Sequence, residues 1–155
     1  ARLEQTPPKG KFWKYFSWII VTIIISGFVI GFSKSPELGW SLVADWVLIN
    51  GSMSALGALI AGGHIVTILT AFVAAPITSL NPTIGAGMVA GAAELFMRKP
   101  TVGDFDQLRT DTSSMKGWWR NRVARLFLVF ILTSLGSAAA TYIAGFRIFD
   151  RLIGA

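Results

Sequence analysis

Between Trp46 and Ala93 the chain runs for 48 residues without an Asp, Glu, Lys or Arg. As one straight helix that stretch would be about 72 Å long at 1.5 Å per residue, more than twice the hydrocarbon thickness of a bilayer, which is about 30 Å. It must therefore turn back on itself inside an apolar medium. Two further charge-free runs flank it, Tyr15 to Ser33 with 19 residues and Leu126 to Phe146 with 21. Each matches the roughly 20 residues a membrane span requires. Of the 155 residues 53% are hydrophobic and 14% charged, so too few polar residues remain to cover these runs in water. The composition excludes a disordered segment and an ordinary soluble domain. The absence of Cys excludes disulfides, thiolate metal ligands and cysteine nucleophiles.

The first span is expected over 12–32, with Trp13, Tyr15 and Trp18 at its entrance where amphipathic rings favour the headgroup level. Its 19 uncharged residues and lack of a small-residue cleavage pattern distinguish it from a signal peptide. Gly62-Gly63 and Asn81-Pro82 are the natural breaks in the long run. They divide it into a span over 40–61, a segment over 64–80 interrupted by Pro76, and a segment over 83–97. The last two are short for a crossing, so they form a tight hairpin that either crosses twice or re-enters. A final span is expected over 125–146. The polar stretch 98–124 holds a capping-box spacing at Thr101 and Asp104. It also holds an aromatic and basic piece, Ser114 to Arg122, suited to a membrane surface. The expected fold is an all-α integral membrane protein, a helical bundle of about five membrane segments with a cytoplasmic amphipathic segment. It forms a single transmembrane domain over 1–155.

Charge gives the orientation. With the hairpin ends on one side, Arg2, Lys9, Lys11 and Lys14 share a side with Arg98, Lys99, Arg109, Lys116, Arg120, Arg122 and Arg125. Lys34, Arg147 and Arg151 lie opposite, so the basic residues divide eleven to three. The positive-inside rule then makes the N-terminus and the 98–124 loop cytoplasmic, in the cell membrane. These cations flank spans and do not line one exposed face, which argues against a nucleic-acid partner despite the net charge of +6.

Helices in lipid associate through close packing and polar contacts. Small residues at four-residue spacing recur at Gly57 and Ala61, at Gly87 and Gly91, and at Gly136 and Ala140, serving packing within the protomer or between two copies. Polar residues at membrane depth are few: Asp45, Asn50, His64, Asn81 and Glu94. Each carries a cost and needs a reason. One reading pairs Asp45 and Glu94 with nearby cations, Glu94 lying four residues before Arg98, and places His64 at the interface. The other gathers the polar residues around a cavity for an ion, proton or peptide. Lys116, Trp118, Trp119, Arg120, Arg122 and Arg125 form the expected contact with anionic lipid. No pattern of catalytic, metal-binding or cofactor-binding residues is present: there is no second His for zinc and no GxSxG frame.

The strings AAPITSLNP (74–82) and RKPTVGDF (98–105), with Gly63-His64, Gly85 to Gly87 and Ala93-Glu94, resemble the membrane part of the TraB/PrgY pheromone-shutdown family. WRNRV (119–123), Leu135-Gly136-Ser137 and Ile143-Ala144-Gly145 resemble its last span. The resemblance covers roughly the second half of the chain. The family-like positions are His64, Pro76, Asn81, Pro82, Glu94, Arg98, Lys99, Pro100, Asp104, Trp119, Asn121 and Arg122. In that family a soluble N-terminal domain with a metal-dependent peptidase-like fold precedes the spans and carries the catalytic motif. The resemblance therefore implies a membrane domain without that soluble domain, and no catalytic residue is carried over. It implies a role in limiting a peptide signal or in membrane proteostasis. Three functions follow as expectations. The first is a membrane part that anchors and dimerises a cytoplasmic peptidase-like domain, with the lipid bilayer and a second copy as partners. The second is a membrane domain that binds or conducts a peptide or ion around the Asn81-Pro82 hairpin. An enzyme acting within the bilayer is the least supported, for want of a catalytic set.

Overall fold

A computed structural model describes residues 11–154, and these form helices α1 (Lys11–Lys34), α2 (Pro36–Ile60), α3 (Ile65–Thr78), α4 (Ala86–Met97), α5 (Val102–Asp106), α6 (Leu108–Asp111), α7 (Met115–Arg120) and α8 (Arg122–Gly154). No strand occurs among the described residues. Arg2 and Lys9, two of the cations in the orientation argument, lie outside them. Three helices, Phe12–Lys34, Pro36–Ile60 and Arg122–Gly154, are long and apolar enough to cross a membrane.

The helix boundaries follow from local chemistry. α2 starts at Pro36 rather than at residue 40. A proline without an N–H suits a first helical position, Ser35 caps it by accepting the Leu38 N–H at 3.1 Å, and Glu37 faces the positive end of the helix dipole. At its other end the chain turns through Gly62, whose φ of +75° is a left-handed conformation that a side chain would disfavour. α8 starts at Arg122, earlier than the expected 125, because the Asn121 side-chain oxygen accepts from the Val123 and Ala124 N–H groups at 2.9 and 3.2 Å. It continues past residue 146 because Arg147 and Arg151 there find a carboxylate on α2.

α2 and α8 run antiparallel at the centre, and glycine brings their backbones together. A Cβ on Gly57 would strike the carbonyl of Leu132, and a Cβ on Gly136 would strike the carbonyl of Met53. α4 approaches α8 in the same way, Gly87 lying against the Phe130 carbonyl and the Ser134 hydroxyl. α1 packs on α2 through Gly31 against Leu42 and Gly39 against the Phe32 ring. Two apolar clusters result. One joins Ile24, Leu42, Trp46, Ala144, Ile148 and Leu152, and the other joins Ala58, Ala61, Ala71, Ala90 and Val129. Between them Asn50, fully buried, accepts from the Ser79 hydroxyl at 2.9 Å and the Thr141 hydroxyl at 3.4 Å. Large apolar side chains cover the outside, among them Ile19, Leu56, Leu69, Phe127 and Ile143, the surface of a membrane protein and not of a soluble one.

α3 and α4 form a hairpin of 14 and 12 residues, about 21 and 18 Å long. Its tip is level with the middle of the two long helices, since Ser79 meets both Asn50 of α2 and Ser137 of α8 at 2.9 Å. Pro76 has no N–H to return to the Phe72 carbonyl, and Gly51 lies beside that oxygen, 2.9 Å from where a Cβ would stand. The carbonyl of Pro76 itself, close to the helix end, accepts from the Trp46 indole at 3.0 Å.

The α2–α8 crossing can be tested by overfilling it. Gly57→Val is expected to lower stability in detergent by about 2–3 kcal/mol, the cost of forcing two backbones apart. Gly145→Ala, where nothing stands within 4 Å of the added carbon, is expected to be neutral or slightly stabilising. Thermal unfolding of both variants checks this, and equal melting temperatures would remove Gly57 from the crossing.

Candidate functional site

The richest polar arrangement lies where the α2–α3 turn, the end of α4 and the start of α8 converge. Glu94 is 2% exposed, and its carboxylate accepts the backbone N–H of His64 at 2.8 Å and the Thr67 hydroxyl at 2.7 Å. A carboxylate at the first turn of α3 meets the unpaired N–H groups and positive dipole end of that helix. Arg98, one turn after Glu94, pairs with its other oxygen at 3.4 Å and donates to the Gly62 carbonyl at 2.8 Å. His64 caps α3, its Nδ1 accepting from the Val66 N–H at 3.1 Å. The Ile60 carbonyl accepts from the Trp119 indole at 2.7 Å, and the Trp119 carbonyl in turn accepts from Arg125 Nε at 2.7 Å. The polar backbone of this turn is therefore held by three side chains, Glu94 and Arg98 at the end of α4 and Trp119 of α7, the last anchored by Arg125 of α8.

Next to this turn α5, α6 and α7 make a compact elbow. Asn121, 2% exposed, is its hub: its amide donates to the Asp104 carbonyl at 2.7 Å and to Asp111 at 3.0 Å, while its oxygen caps α8. Thr101 and Asp104 close a reciprocal capping box, and the Thr101 N–H and hydroxyl hold the Asp104 carboxyl below the ordinary aspartate range. Gly117 is required where the backbone of Asp111 crosses it. Trp118 donates to the Thr112 carbonyl at 3.0 Å, Arg120 pairs with Asp111 at 3.3 Å, and Arg122 donates to the Lys99 carbonyl at 3.2 Å. Lys116 is exposed. Arg98, Lys99, Arg120, Arg122 and Arg125 line a recess of about 580 Å³ with Phe96 and Met97.

The five polar residues singled out in the spans occupy different places. His64 and Glu94 are hydrogen-bonded together. Asp45 pairs with Arg147 at 3.1 Å and Arg151 at 2.6 Å, towards the opposite end of α2. Asn50 is central, as described above. Asn81 is exposed at the hairpin tip, where its oxygen accepts from the Thr83 N–H and hydroxyl at 3.0 and 2.6 Å in an Asx turn. Of the small residues, Gly57, Gly87 and Gly136 make the close approaches given above, and Ala61 and Ala140 are fully buried. Gly91 has open ground, a Cβ there meeting only that of Phe130 at 4.0 Å. Sequence reasoning missed Thr67, Ser79, Ser137 and Thr141 as hydrogen-bonding partners. The available signal was the need of any hydroxyl in lipid for an acceptor, which does not name the acceptor. No group of His, Asp and Glu able to hold a metal occurs among the described residues.

Two measurements probe these contacts. Glu94→Ala strands the His64 N–H and the Thr67 hydroxyl and is expected to cost about 2–4 kcal/mol. Glu94→Gln keeps an accepting oxygen and is expected to cost about 1–2 kcal/mol. Denaturant titration in micelles compares them, and equal losses would show that hydrogen bonding to the turn is not what Glu94 provides. For Asp104 the depressed carboxyl stabilises the elbow fully above the ordinary value of 3.8, and that contribution fades as pH falls through its lower folded value. Amide exchange at Thr101 should therefore accelerate only below the ordinary range. Acceleration beginning above it would contradict the capping box.

The chain matches the family model described as TraB family protein, C-terminal domain, over residues 12–153. It is 36% identical over 111 residues to an uncharacterized protein of Methanocaldococcus jannaschii, across 70% of this chain and 28% of that protein. The chain thus spans well under half the length of this relative. No solved structure matches it. With a family match reaching from the start of α1 to the end of α8, the chain belongs to the TraB family, as its C-terminal domain.

Proposed function

We propose that this domain anchors a longer TraB-family protein in the cell membrane and assembles it as a dimer. The remainder, a peptidase-like part on the cytoplasmic side, limits a peptide signal or acts in membrane proteostasis. The observation carrying the anchoring part is the outer surface: α1, α2 and α8 present continuous apolar faces of span length. The 28% coverage of the relative supports a larger partner part within the same protein. α3 and α4 re-enter the bilayer, because both are shorter than its hydrocarbon core and their tip hydrogen-bonds at mid-depth. With both ends of the hairpin on one side, the positive-inside rule makes the N-terminus, the basic recess and the elbow cytoplasmic. Assembly has a place in the groove between α1 and α8, where Gly145, Ile20 and Phe149 leave room for a neighbour's side chain.

A polar cavity around the hairpin has less support. Glu94 and Asn50 spend their oxygens on groups of the protein itself, and Asn81 folds back on Thr83.

Lys34→Cys and Lys116→Cys are expected to react with a membrane-impermeant thiol reagent from opposite sides of sealed vesicles. Reaction from one side overturns the topology. The mass of the detergent-solubilised domain is expected to be that of two copies, and a monomer at all concentrations removes the assembly part of the proposal. In the full-length protein, Glu94→Gln should leave peptide turnover intact if the domain is an anchor. Loss of turnover with unchanged folding would favour the cavity.

A further inference from the structure

The basic recess continues into an apolar groove along the same pair of helices. On α4 the recess begins at Phe96 and the groove ends at Leu95; on α8 the recess ends at Arg125 and the groove begins at Leu126. The groove has a volume of about 510 Å³ and runs along α4 from Leu95 to Met88, against Phe127, Phe130 and Ile131 of α8. Those two turns are about 10 Å of helix. Gly91 keeps it open, since an added Cβ there would meet only the Phe130 Cβ, at 4.0 Å. The recess gathers five cations. Of these Arg98 is neutralised by Glu94 and Arg120 by Asp111, while Lys99, Arg122 and Arg125 have no carboxylate at ion-pair distance among the described residues. Arg122 and Arg125 each use guanidinium N–H groups on backbone carbonyls, which fixes their position without cancelling their charge.

We propose that the α4–α8 seam binds one anionic phospholipid, its phosphate in the basic recess and one hydrocarbon chain in the groove. The two halves of the seam match the two halves of such a molecule in order and in chemistry. Lys99, Arg122 and Arg125 make no ion pair among the described residues, although the Asp104 carboxylate acts on Arg122 and Arg125 from beyond that distance. Such cations attract a phosphate through charge-assisted hydrogen bonds, and an amphipathic ligand reaches them from the lipid phase without leaving it. A free phosphate uses the recess and ignores the groove. The site rests on the membrane placement proposed above.

The test uses the domain in detergent, with phosphatidylglycerol, phosphatidylcholine and inorganic phosphate as probes and native mass spectrometry as readout. Wild type is expected to retain one phosphatidylglycerol in preference to phosphatidylcholine. Lys99→Gln with Arg122→Gln should weaken phosphatidylglycerol about 30-fold, the loss expected from two cations near a membrane surface. Gly91→Leu fills the groove without touching a charge and should weaken the lipid while leaving inorganic phosphate unaffected. Arg109→Gln removes an exposed cation outside the recess and should leave the preference intact. Equal retention of both lipids by wild type overturns the proposal. So does an equal loss with Arg109→Gln, which would mean attraction by general surface charge. Inorganic phosphate bound by wild type, together with phosphatidylglycerol retention undiminished by Gly91→Leu, makes the recess a site for free phosphate and overturns the lipid. Melting temperatures exclude misfolded variants, and carbonate-resistant pelleting of the same variants from membranes separates loss of the lipid site from failure of membrane insertion.

Discussion

The antiparallel contact of α2 with α8 is a contact of backbones, and glycine makes it possible. In lipid there is no hydrophobic gain in bringing two apolar helices together, so dispersion between closely fitted surfaces has to hold them. Gly57 and Gly136 let each helix press on a carbonyl of the other. Every other element is placed by that pair. α1 covers one half of it and the hairpin covers the other. The elbow is tied to the same axis, since Asn121 caps α8 and Trp119 reaches the last turn of α2.

A hairpin whose tip lies level with the middle of α2 and α8 ends its helices among apolar neighbours, and the structure meets this with side chains. At the tip, Ser79, Asn50, Ser137 and Thr141 share hydrogen bonds, and Trp46 takes the Pro76 carbonyl. At the base, Glu94 and Arg98 hold the turn of Gly62 and His64. The polar residues of the spans are thus accounted for as helix ends, apart from Asp45, which joins α2 to the final turns of α8. Ser54 and Thr133 are buried hydroxyls at the crossing without a partner. They are small enough to stay for packing, at the modest cost of an unpaired hydroxyl.

Much of the architecture could be read from residue order alone. Charge-free runs mark the spans, Gly62-Gly63 and the Asn81-Pro82 region mark the breaks, and Thr101 with Asp104 marks the elbow. Pro36 was harder, because a proline ends one helix and starts the next with equal ease, and only the Ser35 cap and Glu37 favour the start. The rows of small residues announce close packing without saying which helix is the neighbour. Gly87 presses on the α8 backbone while Gly91, one turn on, leaves a gap in which an added Cβ would meet only Phe130 at 4.0 Å, and spacing is the same for both. Asp45 and Arg151 are 106 positions apart, a distance over which no local pattern extends. Glu94 and Arg98 were visible as neighbours on one helix, but their true object, the turn around residue 62, is on another.

The polar cluster at the hairpin tip also constrains the order in which the domain is completed as it is made. Asn50 emerges first, Ser79 29 residues later, and Thr141 91 residues after Asn50. Until α8 arrives, the hairpin tip has only part of its hydrogen-bonding complement and Gly87 of α4 has no Phe130 carbonyl to settle against. α3 and α4 are each too short to be held by the bilayer alone. α8, made after the hairpin, is therefore the helix that locks it, and a ribosome paused before Leu135 leaves behind a chain whose polar tip is still seeking partners.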